Sequence, residues 1–184
     1  MLGLQRPRTQ TTHAEQKCLL KYVKNKKKIV EIGVFHGVNT KTFRQVMADD
    51  GIILAVDPFG RSLFGIRGYG WARMIAHREI SKIRNGKVIW VEETGEDAVK
   101  LNIVKGLLPV DFIFIDGDHS WDGIKGDWES WHPEVELNGI VALHDSKNTD
   151  GSDSEKYTNQ IILKNYNFKE IYSVDRLTIL KKIS

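Results

Sequence analysis

Asp111-Phe-Ile-Phe-Ile-Asp-Gly-Asp-His-Ser120 decides the fold. Phe112 to Ile115 form an uninterrupted apolar run of β-branched and aromatic residues. Such a strand suits a parallel sheet covered on both faces. The run breaks into Asp116, Gly117, Asp118 and His119. Two carboxylates and an imidazole therefore stand at the carboxyl end of a buried strand, where open α/β sheets bind ligands.

The same pattern recurs on either side. Ile29 to Ile32 form a short strand followed by Gly33-Val-Phe-His-Gly37, and Val38 to Ala48 read as a helix with Asn39 or Thr40 at its cap or in its first turn. Ile52 to Val56 end at Asp57 and are stopped by Pro58. Lys87 to Val91 give a third strand, followed by the loop Glu92 to Gly95 and a helix over Asp97 to Val104. Asp122 to Leu137 read as a helix that Pro133 kinks or ends, and Trp121, Ile124, Trp128 and Trp131 recur at a spacing of three or four as a core-facing stripe. Ile140 to Leu143 form the next strand and end in His144, Asp145 and Ser146. Ser154 to Tyr166 read as helix, and Phe168 to Val174 with Leu177 to Ile183 as a closing hairpin. The expected architecture is α/β: a Rossmann-like, doubly wound, mostly parallel seven-stranded sheet with a C-terminal antiparallel hairpin. Residues 1–27 are expected to form an N-terminal arm and helix, with apolar positions Ala14, Cys18, Leu19, Tyr22 and Val23; residues 28–184 form the single globular domain. Residues 58–70 mix glycine, aromatics and arginine and read as a mobile loop or lid.

Composition narrows the function classes. The 184 residues carry 41% hydrophobic and 28% charged side chains and a net charge of +3. That balance fits a soluble globular domain and not a disordered chain. The lysines at 21, 24 and 26–28 lack interleaved aromatics, so a solvated surface is favoured over a nucleic-acid patch. One cysteine, Cys18, excludes an intramolecular disulfide and reads as a small buried side chain. No stretch resembles a secretory signal or approaches a membrane span, so a cytoplasmic protein without membrane contact is expected.

The glycines after the first strand allow close backbone approach at Gly33 and a tight turn at Gly37. Their G-x-x-x-G spacing is neither the dinucleotide fingerprint nor a Walker loop. Asp57, twenty-four residues beyond Gly33, suits acceptance of two ribose hydroxyls. Together these residues point to a nucleoside without a pyrophosphate. His36 is expected to be exposed beside it, and His13, His77 and His132 to be ordinary helix positions.

Glu31-Ile-Gly-Val-Phe-His-Gly37, Ala55-Val-Asp57, Asp111 to His119 and Asn138-Gly-Ile-Val-Ala-Leu-His-Asp145 resemble, in order and spacing, the class I S-adenosylmethionine-dependent methyltransferases. Within them, Ile-Asp-Gly-Asp-His followed by Leu-His-Asp is similar to the small-molecule O-methyltransferases of the catechol type and of the macrolide-sugar and cephalosporin-tailoring type. The resemblance covers residues 28 to 183 and implies S-adenosylmethionine as cofactor. It places Glu31 and Gly33 at the methionine part, Gly37 at the adjoining turn, Asp57 at the ribose, and Thr94 and Gly95 beside the adenine, with Asp116 next to the cofactor. It also implies Mg²⁺ or another divalent metal on Asp116 and Asp145. The third ligand departs from the family: the catechol type has Asn where this chain has Ser146, and the sugar-modifying type has an acid where this chain has His144. Asp118 and His144 are the candidates.

Mg²⁺ prefers oxygen ligands, and a mixed His/Asp set suits Mn, Fe, Co or Zn better. His144 reads equally as a ligand or as support for one. His119 is the candidate general base, because an unperturbed histidine titrates near neutrality. Asp118 and His119 read otherwise as a cap on the helix that follows. The expected activity is O-methylation of a small hydroxylated molecule, with nucleic acid disfavoured as acceptor. Residues 1–20 and 58–70, or a second subunit of a homo-oligomer, would close the substrate side. A metal-independent methyltransferase on another acceptor and a non-catalytic nucleoside-binding protein are the competing readings.

Overall fold

A computed structural model describes residues 6–60 and 70–184. Seven strands form one sheet: β1 (Lys28–Ile32), β2 (Ile52–Val56), β3 (Lys87–Val91), β4 (Val110–Ile115), β5 (Val135–Leu143), β6 (Phe168–Val174) and β7 (Leu177–Lys182). Their order is β3-β2-β1-β4-β5-β7-β6. The first five pair in parallel, and β7 lies antiparallel to both β5 and β6. This is the expected doubly wound sheet with its closing hairpin. The chain order reverses between β1 and β4, and a crevice opens at the carboxyl ends of strands at such a point.

Helices cover both faces. On one, α1 (His13–Val23) and α2 (Val38–Val46) bury Cys18, Leu19, Val23 and Phe43 against Ile29, Ile53, Phe112 and Phe114. On the other, α6 (Trp121–Trp131) lays Ile124, Trp128 and Trp131 against Val30, Ile113 and Val141, the stripe its spacing foretold. A smaller cluster joins α3 (Gly70–Ile80) to Val34, Ala55 and Phe59. Burying a Leu, Val or Phe side chain contributes about 1.5–3 kcal/mol each, so these layers carry most of the stabilisation. Burial pushes the Cys18 thiol up to about 11, which leaves it an inert core group.

Several boundaries differ from expectation. The helix after His119 stops at Trp131, short of Leu137: of the two effects expected of Pro133 it shows the second, ending the helix in a 3-10 turn over His132–Glu134. β5 then begins at Val135, not at Ile140. Asn138 takes φ 68 inside it, and the β4–β5 register shifts between Val110 and Phe112, so Asn138-Gly139 forms a bulge within the strand rather than a turn before it. The helix expected over 97–104 divides into α4 (Gly95–Ala98) and α5 (Asn102–Lys105), with Leu101 extended between them. α7 spans Asp153–Gln160 and is followed by a 3-10 turn at Ile162–Lys164. α2 is entered through Gly37 in the left-handed region and has no side-chain cap. Asn39 and Thr40 lie in its first turn rather than at the cap, and the Thr40 hydroxyl turns inward to Glu31. Most of the loop expected over 58–70 lies at 61–69, outside the described residues.

Gly33 is confined by the sheet itself. Its φ is +90, and a Cβ there would sit 2.0 Å from the Asp116 carbonyl oxygen. The backbone that approaches Gly33 closely is thus the chain's own β4 tip. Gly33→Ala is expected to cost roughly 2–5 kcal/mol in urea unfolding, from strain and overpacking together. Gly106, with an ordinary φ and no atom nearer than 3.6 Å to its added Cβ, is the control. Gly106→Ala should be neutral or gain up to ~1 kcal/mol.

Candidate functional site

The crevice between the tips of β1 and β4 is a cavity of about 270 Å³. Gly33, Asp57, Asp116 and His119 line it, together with the arm residues Arg8, Thr9 and Gln10. Asp57 organises its rim. Oδ2 accepts the N–H groups of Val34 and Phe35 at 2.9 and 2.8 Å, and Oδ1 accepts that of Phe59 at 2.7 Å. Phe35 and Phe59 have φ 49 and 45, a conformation that such bonds must hold in place. A carboxylate offers about four acceptor sites, so in this loop conformation Asp57 has room for one ribose hydroxyl rather than two.

Glu31 lies behind the cavity. It is fully buried under the first turn of α2, where Oε2 accepts the Thr40 hydroxyl and Oε1 has no hydrogen-bond partner among the described residues. Burial, with the nearby Asp116 and Asp57, holds its carboxyl well above the usual range, and the Thr40 bond offsets only part. His36 is not exposed, as expected from its loop, but 99% covered: its Nδ1 accepts the Arg8 N–H at 3.0 Å and its ring stacks on Phe35. The arm folds over it, which position in a glycine-rich loop did not reveal.

Behind Asp116, one ligand-type atom from each of Asp116, His144 and Asp145 lies within 4.8 Å of the others. His144 Nδ1 is 2.9 Å from Asp116 Oδ1 and 3.4 Å from Asp145 Oδ2. It nevertheless lacks hydrogen-bond geometry to any described residue. Burial lowers the His144 pKa, but Asp116, Asp145 and Glu15 outweigh it and push it up to about 9. Asp145 reaches the cluster through a left-handed backbone at φ 47, a conformation Asp tolerates. Its Oδ1 lies 2.9 Å from Arg176 Nη1, and its Oδ2 lies 3.5 Å from His119 Nε2. Ser146 stands apart, its hydroxyl donating to the Leu143 carbonyl and meeting Thr178 Oγ1 at 2.8 Å.

Asp118 does not join this cluster. Its Oδ1 accepts the Ser120 N–H at 2.9 Å, a turn at the entrance to α6 that pulls it away from Asp116. It lines instead a neighbouring cleft of about 190 Å³ with Thr94, Gly95 and Gly117. Thr94 caps α4 by accepting the Asp97 N–H, and the Trp131 indole N–H donates to the Gly95 carbonyl at 2.8 Å. Gly37 lines neither space; a Cβ there would strike Ile80 of α3 at 2.8 Å.

Three residues of this region were not foreseen: Glu15, Arg176 and Asp127. Arg176 gave no signal beyond its place in a tight turn. Glu15 and Asp127 are charges on the buried stripes of α1 and α6, and that mismatch was the available signal. Asp127 sits against Gly95 and Gly117, so close that a Cβ on either would clash with its carboxylate. Burial, then Asp118 and Glu96, raise it to about 7. The folded protein thus holds a proton on Asp127 that the unfolded chain releases near pH 4. Stability from this group is present below pH 4 and is lost as pH rises through 7. Urea melts at pH 5 and pH 8 should show Asp127→Asn gaining on the unsubstituted protein at the higher pH, by at most ~4 kcal/mol.

Residues 30–146, more than half of the chain, match the family model described as a methyltransferase domain. The fold is shared with solved structures. An O-methyltransferase from Bacillus cereus in complex with SAH is 15% identical, with a TM-score of 0.68 over 98% of this chain and 84% of that one. A TDP-rhamnose 3′-O-methyltransferase of calicheamicin biosynthesis is 15% identical, with a TM-score of 0.63 over 91% and 77%. An rRNA methylase from Streptococcus thermophilus is 13% identical, with a TM-score of 0.61 over 96% and 100%. At these identities the likeness is one of fold, and it spans proteins named for different acceptors. The family match, the strand order and the crevice at its switch point agree: the chain belongs to the methyltransferase-domain family, among the class I S-adenosylmethionine-dependent methyltransferases.

Proposed function

We propose that this protein methylates an oxygen of a small hydroxylated molecule, with a divalent ion held by Asp116, His144 and Asp145. The observation that carries the reading is the meeting of those three side chains directly behind the cavity that also holds Gly33, Asp57 and His119. The cavity suits the cofactor's charge: Asp57 and Asp116 line it, and the unpartnered Glu31 Oε1 lies behind them. A sulfonium and an ammonium group are cations that such carboxylates would neutralise.

When bound, the cofactor supplies an electrophilic methyl group, and the ion supplies charge that favours a deprotonated acceptor oxygen. The chain's own residues do the rest. Asp57 and the Val34–Phe35 backbone orient the nucleoside. Asp116, on the boundary between the cavity and the ion cluster, fixes the acceptor against the methyl group, which is chiefly a matter of positioning. His119 Nε2 takes the hydroxyl proton, and Asp145 Oδ2 at 3.5 Å favours the imidazolium that results. Arg8, Thr9 and Gln10 narrow the entrance and exclude water.

The position of the basic residues favours a small acceptor over RNA. Lys27 and Lys28 stand at the amino end of β1, the opposite edge of the sheet from the cavity, and the Lys27 ammonium pairs with Asp50 at 2.6 Å. Among the described residues no helix is long and apolar enough to cross a membrane.

Calorimetry with S-adenosylhomocysteine should give saturable binding that weakens at least tenfold in Asp57→Ala; unchanged affinity there removes Asp57 from the cofactor site. His119→Ala should lower kcat by roughly 10²–10⁴ while cofactor affinity stays the same. A catechol and sugar panel assayed with and without EDTA tests the acceptor and the ion together. Full turnover in EDTA would exclude the ion, and methylation of RNA alone would exclude the small acceptor.

A further inference from the structure

Glu15 is completely buried, and no step above uses it. Its position is fixed from both ends of the chain. Oε2 accepts the Thr12 N–H at 2.7 Å, and Oε1 accepts the Arg176 N–H at 2.8 Å. Oε2 also lies 3.3 Å from His144 Nε2. Imidazole in its neutral form has one N–H and one lone pair. Glu15 Oε2, already an acceptor towards the Thr12 N–H, hydrogen-bonds to the ring when Nε2 carries the N–H. The lone pair is then on Nδ1, aimed at Asp116 and Asp145.

In that neutral form the three atoms repel one another, and either a proton on Nδ1 or a metal ion between them relieves the repulsion. The spacing fits the ion. Metal bonds of about 2.0–2.2 Å place adjacent ligand atoms roughly 3.0–3.5 Å apart in tetrahedral or octahedral geometry. Nδ1 stands 2.9 Å from Asp116 Oδ1 and 3.4 Å from Asp145 Oδ2, fully buried and without a hydrogen bond to any described residue. The Arg176 guanidinium stands 2.9 Å from Asp145 Oδ1, without hydrogen-bond geometry, and Oδ2 is the oxygen that faces His144.

Building on the ion in the proposed function, we infer that Glu15 is a positioning residue that fixes His144 as an Nδ1 ligand, so that the site prefers a first-row transition metal ion such as Co²⁺ or Zn²⁺ to Mg²⁺. Nitrogen ligation favours such ions over Mg²⁺, which prefers oxygen donors. A carboxylate on the far nitrogen orients the ring and raises its basicity.

Two measurements on the full chain test this. Long-range proton–nitrogen NMR of the ¹⁵N-labelled protein, with and without Zn²⁺, reads the His144 tautomer, with His144→Gln providing the assignment. The expected spectrum has a proton on Nε2 and a Zn²⁺-dependent shift at Nδ1. Zinc at Nε2, or no zinc effect on His144, overturns the inference. Calorimetry with Co²⁺ and Mg²⁺ should show tighter Co²⁺ binding, and Glu15→Gln should weaken Co²⁺ by ten- to a hundredfold while leaving Mg²⁺ nearly unchanged. Unchanged Co²⁺ affinity in folded Glu15→Gln overturns the role of Glu15 and leaves the ion in place. Absence of any saturable divalent binding in the unsubstituted protein removes the ion and this inference with it. Should Glu15→Gln fail to fold, the NMR measurement on the unsubstituted chain decides alone.

Discussion

The contact between Gly33 and the Asp116 carbonyl sets the geometry of the whole carboxyl edge. β1 and β4 are neighbours, so their tips must pass each other where the chain leaves the sheet. An added Cβ at Gly33 would overlap the next strand's backbone. With no side chain there, the two loops can turn apart just above the sheet and leave the cavity between them. Asp57 then fastens one loop by three backbone hydrogen bonds. His144 and Asp145 arrive from β5 on the other side of β4, in register with its end. Every group assigned to chemistry hangs from this one close approach.

Electrostatics shape the same edge. Glu15, Glu31, Asp57, Asp116 and Asp145 converge there, and most are shielded from water. Buried negative charge of this kind is unfavourable unless protons or cations compensate it. Part of the compensation is internal, through Arg176 on Asp145 and the raised His144. Burial pushes the Glu31 carboxyl well above its usual range. A region already strained toward positive partners suits a cationic cofactor and a metal ion, and it disfavours a phosphate-bearing one. The G-x-x-x-G spacing pointed the same way for a different reason, the lack of a phosphate-binding loop.

The sequence revealed what depends on local pattern. Strands buried on both faces read as apolar runs, and their ends showed as abrupt polar breaks: Ile32 to Gly33, Val56 to Asp57, Ile115 to Asp116, Leu143 to His144. That was enough for the sheet and for most of the cavity wall. It failed where a distant partner decides. Glu15 and His144 are 129 residues apart, and nothing local marks their contact. His36 is covered by the distant arm as well as by its neighbour Phe35. Asp118 and Asp116 look alike in sequence, but a turn to Ser120 sends them into different spaces. Val135 to Leu137 were read as helix because their strand pairing is irregular, interrupted by a bulge.

The tether between the two ends of the chain has a consequence for how the protein is made. Thr12 meets Asp175, and Glu15 meets Arg176, across more than 160 residues. Closing so long a loop is among the slowest steps open to a chain of this size, and its entropy must be met before any contact rewards it. During synthesis, α1 leaves the ribosome well before the β6–β7 turn. His144 therefore has no Glu15 held in place by Arg176 until the hairpin has emerged and docked. Until then Glu15 keeps its local hydrogen bond from Thr12 but lacks the Arg176 N–H that holds its second oxygen.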